Sequence, residues 1–167
     1  MNINRLILLD QIESAVSPGG VLVGDDVRSR PDSWPPVGPC KAMAVIRPAT
    51  VNELSDVLRI CHQANLPVVT HGGLTGLVWG ARTTANDIVI SLERMNRIQT
   101  IDTVNRTVTV EAGVILQNIH EAVEQQGLLF PLDLGARGSC TLGGTIAPNA
   151  GGTSVIGCGM LREPVWG

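Results

Sequence analysis

Residues 131–152 read PLDLGARGSCTLGGTIAPNAGG. Small residues fill most of these positions, so the stretch is largely bare backbone, with Asp133 and Arg137 as its only charges. Gly138, Gly143, Gly144, Gly151 and Gly152 alternate with the small polar groups Ser139, Thr141, Thr145 and Asn149. Thr141–Ala147 is expected to form one short helical turn, whose N-terminus would face an anion. A second such stretch lies upstream: residues 70–80 read THGGLTGLVWG. It matches neither GxGxxG nor GxxxxGK[ST], which excludes the two familiar nucleotide loops. The physics is shared with them, because glycine lets successive N–H groups converge on an anion without a Cβ in the way. No carboxylate occurs between Pro67 and Ala85 to repel a phosphate. On spacing alone, a plain glycine-rich turn is an equally open account of the upstream stretch, but two such loops in one small domain are harder to explain as turns.

The glycines are placed rather than scattered. Of the 19 in 167 residues, 12 fall within residues 72–80 and 135–159. Twelve basic against fifteen acidic residues leave a net charge of −3, too mild to indicate nucleic acid or an anionic membrane as partner. Phe130, Trp34, Trp79 and Trp166 are the whole aromatic content, too little for a base-stacking surface. With 44% hydrophobic and 16% charged residues the chain is expected to fold around a core. Cys40, Cys61, Cys140 and Cys158 form no CxxC pair and read as reduced, buried thiols of a cytoplasmic protein. The apolar run Leu6–Leu9 ends at Asp10, too short for a signal peptide or a membrane span.

Periodicity predicts a first helix over residues 3–16, then a proline-rich wrapping loop over 28–40 and a buried strand over Ala42–Arg47. Thr50 and Glu53 form a capping box that opens a helix to about Asn65, with Val51, Leu54, Val57, Leu58 and Cys61 on one face. A strand over 67–70 leads into the first glycine stretch. Three more strands are expected at Asp87–Leu92, Ile98–Asp102 and Thr107–Glu111, the last two joined by a turn at Thr103–Arg106. A helix over 114–126 should bury Leu116, Ile119, His120 and Val123 and stop at Gly127. This order implies an α+β fold: residues 1–40 as a helix and proline-rich segment, 41–111 as a first subdomain and 112–167 as a partial second one.

The runs RPATVNELSDVLRICHQANLPVVTHGGLTGLVWGA (47–81) and FPLDLGARGSCTLGGTIAPNAGG (130–152) resemble the FAD-binding (PCMH-type) domain of the vanillyl-alcohol-oxidase-type flavoproteins. Within them the likeness is to the D-2-hydroxyacid dehydrogenase branch, which includes D-lactate dehydrogenases, the glycolate oxidase FAD subunit and D-2-hydroxyglutarate dehydrogenase. The resemblance implies two α+β subdomains, the second incomplete here, with FAD held non-covalently. It implies that Gly72, Gly73, Leu74, Thr75 and Gly76 hold the FAD diphosphate through their amides, with Leu77 beside it. Pro131, Asp133, Ser139, Gly143, Gly144, Thr145, Asn149 and Gly152 would line the rest of the channel. Leu74 stands where these dehydrogenases usually carry asparagine, and Trp79 where they carry glycine. Thr145 and Pro148 replace asparagine and threonine, and Pro164 interrupts a segment that becomes a strand in the family.

The implied activity is oxidation of a D-2-hydroxy acid by hydride transfer to FAD. The family's substrate domain is not in the 167 residues, so no catalytic residue is assigned, and a small 2-hydroxy acid is a partner only if that domain is supplied. His71 precedes the paired glycines, whereas the histidine that attaches FAD covalently in some relatives follows them. His71 is therefore read as a loop residue bonded to backbone, and His62 and His120 as surface or packing residues. No metal site is expected. A non-catalytic flavin or nucleotide module, and a degenerate fragment, are the alternative readings.

Overall fold

The computed structural model describes residues 3–166, apart from the side chains of Ile3, Asn4 and Cys158. The predicted thiol state of Cys158 therefore lies outside the described residues. The chain divides into two units, one running to Arg94 and the other starting at Met95.

The first unit is built on a sheet whose two central strands are buried on both faces. Its elements are α1 (Ile3–Ser14), β1 (Val21–Leu22), α2 (Asp25–Arg28), β2 (Ala44–Ile46), α3 (Val51–Gln63), β3 (Val68–His71) and β4 (Ile88–Ser91). The strand order is β1-β2-β4-β3, with β2, β4 and β3 mutually parallel and β1 antiparallel at the edge. Side chains alternate across a strand, so the continuous apolar runs divide between two cores. Ala44, Ile46, Ile88 and Ile90 meet Ile12 of α1 and Val57 and Cys61 of α3 on one face. Val45 and Val89 meet Val27 of α2, Cys40 and Ala42 on the other. Each fully buried Ile or Val adds roughly 1.5–3 kcal/mol of hydrophobic stabilisation. The proline-rich segment thus leads into the covering of the second face, closed on itself by a bridge between Pro31 and Pro39.

The Thr50 cap forms as read, but the return bond of Glu53 goes to Ala49, one residue before the cap. Thr50 Oγ1 accepts from the Glu53 amide at 3.2 Å, while Glu53 Oε2 accepts from the Ala49 amide at 2.7 Å. The inward face of α3 is narrower than expected, because Val51 and Leu58 are exposed. Val57 and Cys61 point at the sheet, and Leu58 lies about 100° further round the helix from Val57. The segments β1 and α2 carry no periodic signal, being two and four residues long.

The second unit contains the antiparallel hairpin β5 (Ile98–Asp102) and β6 (Thr107–Val110), then α4 (Leu116–Glu124), α5 (Leu142–Ile146) and α6 (Val155–Cys158). The hairpin turn is tied by Asp102 Oδ1, which accepts from the amides of Val104 and Asn105, both at 2.9 Å. Ile98, Ile101, Val108 and Val110 pack on Val114, Ile119 and Val123. That packing places the hairpin with the second unit, so the structural division falls at 94/95 rather than at the 111/112 read from sequence. All four residues predicted to face inward on α4 are buried. His120 Nε2 donates to the Leu132 carbonyl at 2.7 Å, and its ring meets Phe130 edge-on. Residues 159–166, where Pro164 stands, form turns without a strand.

Candidate functional site

The first glycine stretch leaves β3 at its carboxyl end, from His71, which is paired in register with Ser91 of β4. Among the described residues, no backbone amide from Gly73 to Val78 donates to a protein acceptor. The end of the stretch closes in two turns, at Leu77–Val78 and at Gly80–Ala81, the latter through the Arg82 amide donating to the Trp79 carbonyl at 3.1 Å. Leu74 and Trp79 adopt φ of 55° and 59°, the left-handed region that disfavours residues with a Cβ. These are the two positions where the resemblance leads one to expect asparagine and glycine, the residue types that tolerate this backbone. Trp79 is half exposed and packs beneath the guanidinium of Arg82, 5.1 Å from its ring centre. Leu74 and Thr75 are half-buried, whereas Gly76 is exposed and nothing lies within 4 Å of where its Cβ would stand. Leu77 is 74% exposed, so most of its side chain is open to solvent.

The base of this loop is pinned at two places. His71, predicted as a loop residue, is instead the last residue of β3 and is buried. Its Nε2 lies 2.8 Å from the Ala81 carbonyl, and a carbonyl only accepts, so Nε2 carries the proton. Its Nδ1 is buried without a partner. Burial holds the imidazole pKa below its ordinary value; the Ala81 bond opposes this, Arg30 adds to it, and Asp32 and Glu93 oppose it. The second tie joins buried Asp32 to Thr83: Oδ2 accepts from the Thr83 amide at 3.2 Å and from its hydroxyl at 3.1 Å. Beside them Glu93 pairs with Arg30 and with Arg47, the latter at 3.1 Å, and accepts from Ser91 Oγ at 3.0 Å. Burial alone would raise the Glu93 pKa; the hydrogen bonds from Arg30 and Arg47 outweigh it and hold the carboxyl below its ordinary value.

The stretch 131–152 has a different character, because much of its backbone is already engaged. Helix α5 forms where a helical turn was predicted, with Thr141 Oγ1 capping the Gly144 amide at 3.3 Å. Its N-terminus does not stand open to an anion. The Leu142 amide donates to Val114 O at 2.9 Å and the Gly143 amide to Ala112 O at 2.8 Å, because Thr141 bridges Ile115 and lays this backbone against the start of α4. A Cβ on Gly143 would stand 2.8 Å from that of Ala112, and one on Gly152 only 2.1 Å from the Asp133 carbonyl oxygen. Both glycines therefore have a packing reason to be there. Thr145 is buried and its hydroxyl donates to Leu142 O at 2.8 Å. Asn149 takes φ 55° and its Oδ1 accepts from the Arg162 amide at 2.9 Å. Asp133 pairs with Arg137 at 3.1 Å, Ser139 is exposed, and Pro131 and Gly152 border a depression shared with Met160 and Pro164.

Three groups that shape the site were not legible locally. Asp32 and Thr83 are 51 residues apart, His71 and Ala81 are ten apart, and Arg162 reaches back to the Ile146 and Ala147 carbonyls at the end of α5.

Residues 42–167 match the protein family described as FAD binding domain. The chain belongs to this family of FAD-binding domains. It is 45% identical over 125 residues to a D-2-hydroxyglutarate dehydrogenase of Xanthomonas citri pv. viticola, covering 75% of this chain and 26% of that one. It is 37% identical over 153 residues to the mitochondrial D-2-hydroxyglutarate dehydrogenase of Bos taurus, covering 91% of this chain and 28% of the other. The chain thus spans about a quarter of the length of these curated relatives. A solved alkyldihydroxyacetonephosphate synthase matches 95% of this chain, and 32% of its own, with a TM-score of 0.84 at 16% identity, which shows the shared fold. FAD is accordingly the cofactor of this domain. The loop after β3 fits its diphosphate: it offers unbonded amides, carries no carboxylate and has Arg82 as a nearby cation.

Proposed function

We propose that this FAD-binding domain serves an oxidoreductase that oxidises a D-2-hydroxy acid, and that residues 72–77 hold the FAD diphosphate without a covalent link. The observation that carries the reading is the run of unbonded amides at the carboxyl end of β3, on a loop whose base is pinned by His71 and Asp32. Such a loop binds by presenting N–H dipoles that need no reorganisation when the anion arrives. Arg82 adds positive charge, and the burial of His71 keeps a neutral imidazole under the loop.

When bound, FAD supplies the acceptor for the hydride that leaves C2 of the acid. The protein orients the cofactor and excludes water. In this reading, the groups that bind the acid and take its hydroxyl proton belong to the part of the relatives that the chain does not span. Buried free thiols at Cys40, Cys61 and Cys140 support placement in a reducing compartment such as the cytoplasm.

The test is a chimera in which this chain replaces the matching quarter of the 45%-identical dehydrogenase. A flavin spectrum that survives desalting, and that bleaches when D-2-hydroxyglutarate or D-lactate is added without oxygen, supports the proposal. A chimera that keeps its flavin but is bleached by neither acid refutes it and leaves a non-catalytic flavin-binding module.

A further inference from the structure

We infer that His71 is the positioning residue of the diphosphate loop, acting through its Nε2–H and not through contact with the cofactor; the inference rests on the reading of residues 72–77 just given. His71 sits where the sheet ends: its backbone is held in register with Ser91, and its side chain is 97% buried. From that fixed point Nε2 donates to the carbonyl of Ala81, ten residues on. Among the described residues, the segment between makes no amide bonds of its own from Gly73 to Val78. Its shape is therefore set from its base, and the His71–Ala81 bond is the tie that closes it most tightly, with Asp32–Thr83 two residues further out. A loop that keeps its amides free for a ligand has given up the internal bonds that would order it, so the ordering must come from outside.

The orphaned Nδ1 supports the same view. An imidazole here leaves a buried acceptor without a donor, an unfavourable arrangement for a group present only to fill space. It is accounted for if the ring is present for its other nitrogen.

Two substitutions separate the nitrogens. Glutamine places an amide nitrogen the same number of bonds from Cβ as the imidazole Nε2, so His71→Gln keeps a donor for Ala81. Asparagine reaches only as far as Nδ1, so His71→Asn keeps a polar group of similar size and loses the tie. The intact chain is stripped of flavin and titrated with FAD and, separately, with ADP, which carries the diphosphate and adenosine without the flavin. Melting of each flavin-free variant is recorded in parallel.

His71→Asn should weaken both ligands about tenfold, the equivalent of one well-placed hydrogen bond, while His71→Gln stays within about threefold of wild type. The two flavin-free variants should melt together. Wild-type affinity in His71→Asn overturns the inference alone. Equal loss in both variants also overturns it, because the ring and not the Nε2 donor would then matter. A His71→Asn chain that fails to fold where His71→Gln folds assigns the residue to stability and overturns it as well. If the wild-type chain binds neither FAD nor ADP, the reading of the loop falls first and the inference with it. Binding is measured, not turnover, so the outcome is independent of which acid is oxidised.

Discussion

Gly76→Ala and Gly152→Ala should behave in opposite ways, and the contrast tests whether the two glycine stretches exist for the same reason. At Gly152 an added Cβ would stand 2.1 Å from the carbonyl oxygen of Asp133 and 2.9 Å from its carbonyl carbon and amide nitrogen. All three are backbone atoms, so relief requires the two strands of chain to part by about 1 Å, and overpacking of this kind costs about 1–3 kcal/mol. The same carbonyl accepts the Thr153 amide at 3.1 Å, and straining that bond adds about 0.5–1.5 kcal/mol. The sum, about 2–4 kcal/mol, lowers the urea midpoint by roughly 1–2 M at the m-values usual for small domains. At Gly76 nothing lies within 4 Å and φ is outside the left-handed region, so alanine fits, and the stiffer unfolded chain brings about 0.4–1 kcal/mol of stabilisation. What Gly76→Ala should lose, on the proposed role of residues 72–77, is FAD affinity, because the methyl group would stand where the diphosphate is to approach the amides. Urea unfolding of the flavin-free chain, paired with FAD titration, reads both effects. If Gly76→Ala unfolds as early as Gly152→Ala, or binds FAD as tightly as wild type, the distinction between a ligand loop and a packing loop is wrong.

Leu74→Asn should raise the unfolding free energy by about 1 kcal/mol, since asparagine tolerates the left-handed backbone that leucine adopts there, and an unchanged urea curve would show that the strain is absent. Thr50→Ala should cost α3 about 1 kcal/mol through loss of the Glu53 amide cap, seen in the same assay. Burial lowers the His71 pKa in the folded state, so the unfolded chain binds the proton more readily. Stability should then be complete above the ordinary histidine value of about 6.5 and fall as pH drops below it, and His71→Gln should flatten that part of the profile. The Glu93 pKa is lowered in the folded state, so its contribution is present above the ordinary carboxylate value and lost as pH falls through the lowered one; Glu93→Gln should remove that acid-side slope in unfolding followed by circular dichroism.

Much of the fold could be read because its signals are local. The apolar runs at 44–46 and 88–90 are unbroken because both faces of those strands are covered, and Leu116, Ile119, His120 and Val123 share a face by helical period alone. Thr50 and Thr141 announce their helices through a hydroxyl and an amide three residues on. What could not be read depends on partners far away in sequence. Val51 and Leu58 belong to an apolar face by period, yet α3 needs only part of that face against the sheet. The glycines at 72–80 and 135–159 look alike as letters. Only the fold shows that the amide of Gly143 is taken by Ala112 while those of Gly73–Val78 donate to no protein acceptor among the described residues. Glycine at 143 and 152 answers to neighbouring backbone, and no pattern within either stretch names that neighbour.

The double-sided sheet of the first unit has a practical corollary. The match to the family begins at residue 42, but Ile12, Val27 and Cys40 lie before it and seal β2 and β4 from above and below. A polypeptide started at residue 42 would therefore bare the face that Val27 and Cys40 cover, and part of the face that Ile12 shares with α3. It should be recovered as aggregate, whatever its capacity for flavin. For this protein the edge of a recognisable sequence and the edge of a foldable body are some thirty residues apart.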